Sequence, residues 1–288
     1  METCRLLGIS RQLYYRSIRR DRNSRQVATQ VVKMVDEIRL KMPRLGTRKL
    51  YHLLQSELSG LGIGRDRLFA IMKANHRQIA PKRQYHITTN SHHRFKKHKN
   101  LIEYLAIEEP EQVWVSDITY IGTREHPMYL SLVTDAYSKK IMGYDVSESL
   151  DASGAVRAMK QAMKKRRHPH QRLIHHSDRG LQYCCNAYQE LLINNEVACS
   201  MTESYDPYQN AVAERVNGIL KHEFILGIKI NDLSLMKKLI QQSVQIYNEK
   251  RPHWSCHMNT PNFMHKQKSI KIRTYKTKNS TEIIPDAI

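Results

Sequence analysis

The chain has 288 residues, 40% of them hydrophobic, and a formal net charge of +20. That apolar share supports a folded core and excludes a disordered polyelectrolyte. No apolar run approaches the roughly 18 residues of a membrane span, and Met1-Glu2-Thr3-Cys4-Arg5 lacks the apolar stretch of a secretory signal, so a cytoplasmic protein is expected. The five cysteines, Cys4, Cys184, Cys185, Cys199 and Cys256, are odd in number and irregular in spacing, which excludes a disulfide framework. Adjacent Cys184 and Cys185 also make a poor zinc pair, so all five are read as small buried hydrophobes.

The charge is unevenly spread. Residues 1–100 carry 23 Lys/Arg against 6 Asp/Glu, net +17; residues 101–220 carry 12 against 16, net −4; residues 221–288 carry 12 against 5, net +7. Basic ends around a slightly acidic middle suit a polyanion-binding arm joined to a domain that uses carboxylates for chemistry.

Residues 1–75 read as short helices in helix-turn-helix grammar. Gly8 makes a turn, Ser10 caps a helix, and Arg11, Gln12, Tyr14 and Arg16 face outward. Val27, Val31, Val32, Val35 and Ile38 follow at helical spacing over 26–41. Pro43 and Gly46 break that helix, and Thr47 caps the next, which carries Arg48 and Lys49. Gly62–Phe69 repeats the pattern of a turn and a basic helix, here with Arg65 and Arg67. Residues 76–109 read as a basic linker ordered on a phosphate backbone, its histidines lying among too many cations to hold a metal.

From residue 110 the period changes to that of strands. Val113–Ile121 is apolar on both faces, as in a central strand. Strands are also expected at 128–135, 140–146, 172–176 and 197–201. Helices are expected at 151–166, with Ala155, Met159, Ala162 and Met163 inward, and at 184–195, 208–226 and 233–249. The order predicts an α/β domain over 110–265: a mixed five-stranded sheet with flanking helices, preceded by a small all-α region. Residues 266–288 read as a flexible basic tail.

Asp117 interrupts the apolar strand, where a carboxylate is costly without a cation or donors. Asp178 follows the strand Leu173–His176, and Glu214 lies on the helix over 208–226. Spacing alone is weak, since Asp21 and Glu57 reproduce the Asp178–Glu214 interval in the helical arm. Strand, strand end and helix within one α/β unit single out Asp117, Asp178 and Glu214. His175 and His176 point to opposite faces, one into the core and the other toward DNA or Asp178. Trp114, Tyr120 and Tyr183 are read as packing or stacking groups, and Arg251-Pro252-His253 as a helix stop or a phosphate contact.

Three stretches carry a resemblance: Gln112–Ile121, His175–Tyr183 and Asn210–Lys221. They resemble the DDE transposases of bacterial insertion sequences, in particular the second-frame product of two-frame elements, within the retroviral-integrase superfamily. Tyr247–His253 with Thr260-Pro261 resembles that family's C-terminal box, and Pro43–Leu50 its helix-turn-helix region. The resemblance implies a ribonuclease H-like fold and metal-dependent DNA cleavage and transfer. It also implies two Mg²⁺ or Mn²⁺ ions on Asp117, Asp178 and Glu214. Lys221, seven residues beyond Glu214 and within about 20° of it around the helix, would hold DNA phosphate; the other reading is a surface lysine. DNA contact is assigned also to Arg215, Asn210, Arg179, Arg11, Arg48, Lys49, Arg65 and Arg67. The implied partners are the element's terminal inverted repeats, target DNA, further copies of the chain on DNA and an upstream-frame protein, with no membrane and a place at the bacterial nucleoid. Gln209 departs from the family, which often has Asp there. The rival readings are a catalytically silent DNA-binding descendant and a ribonuclease H-like nuclease that cuts without joining.

Overall fold

A computed structural model describes residues 4, 6, 8–80, 98–123, 125–203, 210–224 and 230–273; Gln209, most of the basic run before Lys99 and the last part of the tail lie outside them. The chain divides into two compact units, Met1–Ile87 with Gly218–Ile228, and Thr88–Asn217 with Lys229–Ile288.

The first unit is helical. Its longest element is α1 (Arg11–Arg39), capped by Ser10, whose side chain accepts the Leu13 N–H at 3.2 Å. The sequence predicts separate short helices here. Instead one helix of 29 residues runs through, because no Gly or Pro interrupts it and extending a helix costs far less than nucleating a second one. Only Val31 and Val35 of its inward set are fully buried; Val27, Val32 and Ile38 are half-buried. Then come α2 (Thr47–Leu53), α3 (Gln55–Gly60) and α4 (Arg65–Ala74). Thr47 is the first helical residue and not the cap; extended Gly46 takes that place. Leu45, Leu50, Leu58, Leu68 and Met72 close the core.

The second unit is built on five strands: β1 (Val113–Gly122), β2 (Pro127–Asp135), β3 (Ile141–Ser147), β4 (Leu173–Ser177) and β5 (Val197–Met201). Between them lie α5 (Ala152–Lys164), α6 (Leu181–Cys184) and α7 (Asn186–Asn194), and after them α8 (Ala211–Glu223), α9 (Leu233–Lys250) and α10 (Pro261–Met264). The single helix expected over 184–195 is thus divided, with Cys185 extended between α6 and α7. The sheet order is β3-β2-β1-β4-β5, with β1 antiparallel to β2 and parallel to β4. β1 is therefore central, and its apolar residues are buried on both faces. Helix α5 lies so close to β3 that a Cβ at Gly143 would stand 2.0 Å from the Ala158 carbonyl oxygen, so only glycine fits there. Around Trp114 the core gathers Met142, Ala158, Met159, Tyr188 and Leu192.

This unit holds more chain than the pattern suggests. Ile102 and Ile107, from the expected linker, pack beside Val113 and Val115, and the Leu101 N–H donates to Ser200 Oγ at 2.8 Å. Beyond residue 265, Ile270 and Ile272 cover Tyr137, Cys256 and Met264, and Tyr137 donates its hydroxyl to the Ile270 carbonyl at 2.7 Å. Lys-rich composition hides these isolated isoleucines.

A buried ionic knot ties α10 to the entry of β1. Glu111 has a left-handed backbone (φ 63°) and is fully buried. Its carboxylate accepts the Arg167 and His168 N–H groups, each at 2.8 Å, and lies 3.4 Å from His265 Nε2. His265 Nδ1 lies 3.0 Å from Ser138 Oγ and 3.7 Å from Asp135. Asp135 in turn accepts N–H groups from Glu111 and Ser138, both at 2.7 Å. Burial opposes the charge of Glu111, yet the His265 contact and the two backbone donors outweigh it and bring its pKa down to about 2. The pKa of His265 is raised: the carboxylates of Asp135 and Glu111 outweigh the cost of its burial.

The Glu111 contribution to stability is present above its unfolded pKa of 4.5 and is lost as pH falls toward about 2. The His265 contribution is full below 6.5 and fades as pH rises through its raised folded value. His265→Ala strands two buried carboxylates. It is expected to cost about 3–5 kcal/mol in urea unfolding, most between pH 4.5 and 6.5 and less at higher pH. A deficit unchanged with pH would mean that the ring serves packing alone.

Candidate active site

The parallel ladder between β1 and β4 pairs Val113 with Ile174, Trp114 with His175 and Val115 with His176. Continued by two residues, this register sets Asp117 level with Asp178, the first residue after β4. Residues at one level of neighbouring strands project to the same face. Two carboxylates that are distant in sequence are thereby brought within electrostatic reach of each other near the end of β4. Gly180 permits the turn that follows: its N–H donates to Asp178 Oδ1 at 3.1 Å, and a Cβ there would crowd the same oxygen at 3.0 Å. Glu214 lies in the first turn of α8 and is exposed.

Electrostatics join the three acids. Asp117 is pushed up to about 7, first by burial and then by the charge of Asp178, with a smaller push from Glu214. Donors from Asn217 and the Ile118 N–H oppose that rise. Glu214 is also raised, by partial burial and by Asp178. Among the described residues, no three His, Cys, Asp or Glu side chains stand close enough together to grip a metal ion as they are. Two features fit a hard divalent ion: the donors are all carboxylate oxygens, and several buried polar atoms around the acids lack hydrogen-bond partners. Those atoms are Ser177 Oγ, Tyr183 Oη, Asn210 Oδ1 and Asn217 Oδ1.

The supporting shell contains residues the sequence did not single out. Asn217, one turn after Glu214, donates to Asp117 Oδ2 at 2.7 Å. Its i+3 position on the face of Glu214 was the available signal. Behind β1, His175 Nε2 lies 2.8 Å from both Ser116 Oγ and Tyr188 Oη. Burial, then His176, lowers the His175 pKa to about 3, so the ring is a neutral strut. His176 is equally buried, with Nδ1 2.8 Å from Ser200 Oγ, so of the readings for the second histidine its burial disfavours the one toward DNA. The reason is that β4 is covered on both faces.

The residues assigned to DNA fall into distinct settings. Arg11, Arg48, Arg67 and Arg215 are exposed, and Arg65 is exposed but paired with Asp66 at 2.9 Å. Lys49 is half-buried and bonded to Glu223 at 3.0 Å. Arg179 is half-buried beside Asp178, and Lys221 is half-buried in the last turn of α8. Asn210 is buried and donates to the Ser116 carbonyl at 3.1 Å, so its amide braces the strand of Asp117 where DNA contact was expected. Arg251 is buried against Tyr247 and His253 and ends α9, which leaves the helix-stop reading.

Sheet order and the level pair of acids define the class: a ribonuclease H-like core of the integrase type. Models of the integrase core domain match residues 107–207 and 195–261. The insertion element IS600 31 kDa protein of Shigella sonnei is 32% identical over 256 residues, which span 87% of this chain and 92% of that one. Transposase InsF for insertion sequence IS3A of Escherichia coli K12 is 33% identical over 160 residues, 55% of each chain. The cryoEM structure of a simian T-cell lymphotropic virus intasome shares the fold at a TM-score of 0.50 and 17% identity, covering 82% of this chain and 81% of that one. The chain belongs to the insertion-sequence transposases that carry an integrase core.

A carboxylate whose folded pKa lies above its unfolded value destabilises the fold as pH rises between the two. Ion-free Asp117→Asn is therefore expected to melt a few degrees higher than wild type at pH 8, about 2–4 °C for each kcal/mol relieved. That advantage should fade as pH drops below about 7 and wild-type Asp117 takes up its proton. Equal melting at pH 8 in scanning calorimetry would contradict the raised pKa of Asp117.

Proposed function

We propose that this transposase cleaves DNA at the ends of its insertion element and transfers the exposed 3′-hydroxyl to a target phosphodiester. The observation that carries the reading is the β1–β4 register, which makes Asp117 and Asp178 neighbours within electrostatic reach of Glu214. Asp117, Asp178 and Glu214 would together hold two Mg²⁺ or Mn²⁺ ions. Ions held so would activate the attacking oxygen and neutralise the leaving one.

The protein's own part is to hold its groups in place. Asn217 fixes Asp117, Gly180 folds the turn onto Asp178, and α8 carries Glu214. Lys221, two helical turns further on, and Arg215 and Arg179 beside the acids supply positive charge for the DNA backbone. A water or a DNA 3′-hydroxyl serves as nucleophile, so no side chain need form a bond to DNA. Retention of all three acids favours this reading over a silent DNA-binding descendant. The basic helical unit favours joining over cutting alone.

The exposed arginines of the first unit are assigned to the terminal inverted repeats and flanking phosphates. Pairing of two DNA ends calls for at least two copies of the chain, and an upstream-frame protein is a further proposed partner. The proposed setting is the bacterial cytoplasm, at the nucleoid; no described helix is long and apolar enough to cross a membrane.

Asp117→Asn and Glu214→Gln are expected to retain DNA binding in gel shifts while losing strand transfer by at least a hundredfold in Mg²⁺. Normal joining by both would remove the triad assignment. Replacing Arg11, Arg48 and Arg67 together by Ala is expected to weaken DNA binding and flatten its dependence on log salt by about one unit for each phosphate no longer neutralised. An unchanged slope would move the DNA path elsewhere.

A further inference from the structure

Two neighbouring tyrosines lie behind the acids, and their hydroxyls differ. Tyr183 and Tyr188 are both buried and meet edge to face, with ring centroids 5.3 Å apart. His175 packs against both, at 5.9 Å and 5.3 Å. The Tyr188 hydroxyl is used within the core, 2.8 Å from His175 Nε2. The Tyr183 hydroxyl is fully enclosed and has no hydrogen-bond partner. An unsatisfied buried hydroxyl is costly, and a native fold that keeps one calls for an explanation.

Its position in the chain supplies that explanation. Tyr183 sits in the single turn of α6 that follows Asp178: Gly180 binds the Asp178 carboxylate through its N–H, and its carbonyl accepts the Tyr183 N–H at 3.0 Å. Burial raises the pKa of this phenol well above its ordinary value, and the neighbouring Tyr188, then Asp117 and Asp178, add to the rise. The groups acting on Tyr188 are instead Ser116, Cys199 and Cys185. Of the two hydroxyls, that of Tyr183 is thus the unpartnered donor, and its residue lies in the turn that directly follows Asp178.

We propose that Tyr183 is a positioning residue whose hydroxyl donates a hydrogen bond to the Asp117–Asp178 carboxylate pair when a divalent ion draws the two together. This rests on the reading of the acids as metal ligands. A donor on the oxygen turned away from the ion holds the carboxylate in its charged form and fixes its angle, as outer-shell partners do at metal sites. The ring itself is clamped by Tyr188 and His175, so the hydroxyl is held ready before the ion arrives.

The test sets the two tyrosines against each other in the full chain. Tyr183→Phe removes the unpartnered hydroxyl and keeps the ring. It is expected to melt at or above the wild-type temperature without metal, yet to bind Mn²⁺ about tenfold more weakly in calorimetry, as befits one missing hydrogen bond to a charged group. Tyr188→Phe is expected to do the reverse, with a lower melting temperature and near-normal Mn²⁺ affinity. Asp178→Asn serves as the reference for ligand removal. If it binds less Mn²⁺ while Tyr183→Phe binds as wild type does, the proposal fails and the ligand reading stands. If Asp178→Asn also binds normally, both fall. A Tyr183→Phe protein that is destabilised without metal would show that the hydroxyl has an internal role, and would overturn the proposal.

Discussion

Burial of the Asp117 carboxylate within electrostatic reach of Asp178 is the constraint on which the candidate site depends. The β1–β4 register, continued past its last paired residues, brings Asp117 level with Asp178 just beyond the end of β4. Relief comes from three directions. Asn217 donates from α8, Gly180 folds its N–H back onto Asp178, and a proton is retained on Asp117 up to about neutral pH. Each holds the acids in place without neutralising them permanently. On the proposed reading the site would take a cation, at some expense to the stability of the ion-free fold.

The surrounding fold makes that constraint tolerable. β1 is central and buried on both faces, so it cannot shift register to separate the acids without exposing Trp114 and Val113. The close seating of α5 on Gly143 and the strut from Ser116 through His175 to Tyr188 stiffen the sheet on one side of the acids. Asn210 braces the Ser116 carbonyl one residue before Asp117. These contacts are short, neutral and buried, which suits a scaffold that must hold charge without contributing more.

Much of this was legible in the sequence, for specific reasons. Asp117 stood out because apolar β-branched residues surround it, and the order of strands and helices implied the sheet. The level pairing with Asp178 was not legible, because a parallel register depends on the whole packed sheet and not on local pattern. Helix α1 runs unbroken through a basic, polar stretch where the sequence predicts separate short helices, because no Gly or Pro interrupts it. Lys49 and Asn210 were assigned to DNA from residue type and position; Glu223 and the Ser116 carbonyl, which engage them, are far away in sequence. Asn217 lay in plain view one turn from Glu214, but its partner is on another element.

The knot of Glu111, Asp135 and His265 has a consequence for how the chain acquires its structure during synthesis. Glu111 and Asp135 flank the first strand pair and leave the ribosome early, whereas His265, the ring that faces both, leaves more than a hundred residues later. Until then the nascent β1–β2 hairpin carries two carboxylates destined for burial and lacks the ring that faces them. The catalytic unit therefore completes its folding only once α10 has been made. An unfinished chain, even one containing all three acids of the site, remains unlocked.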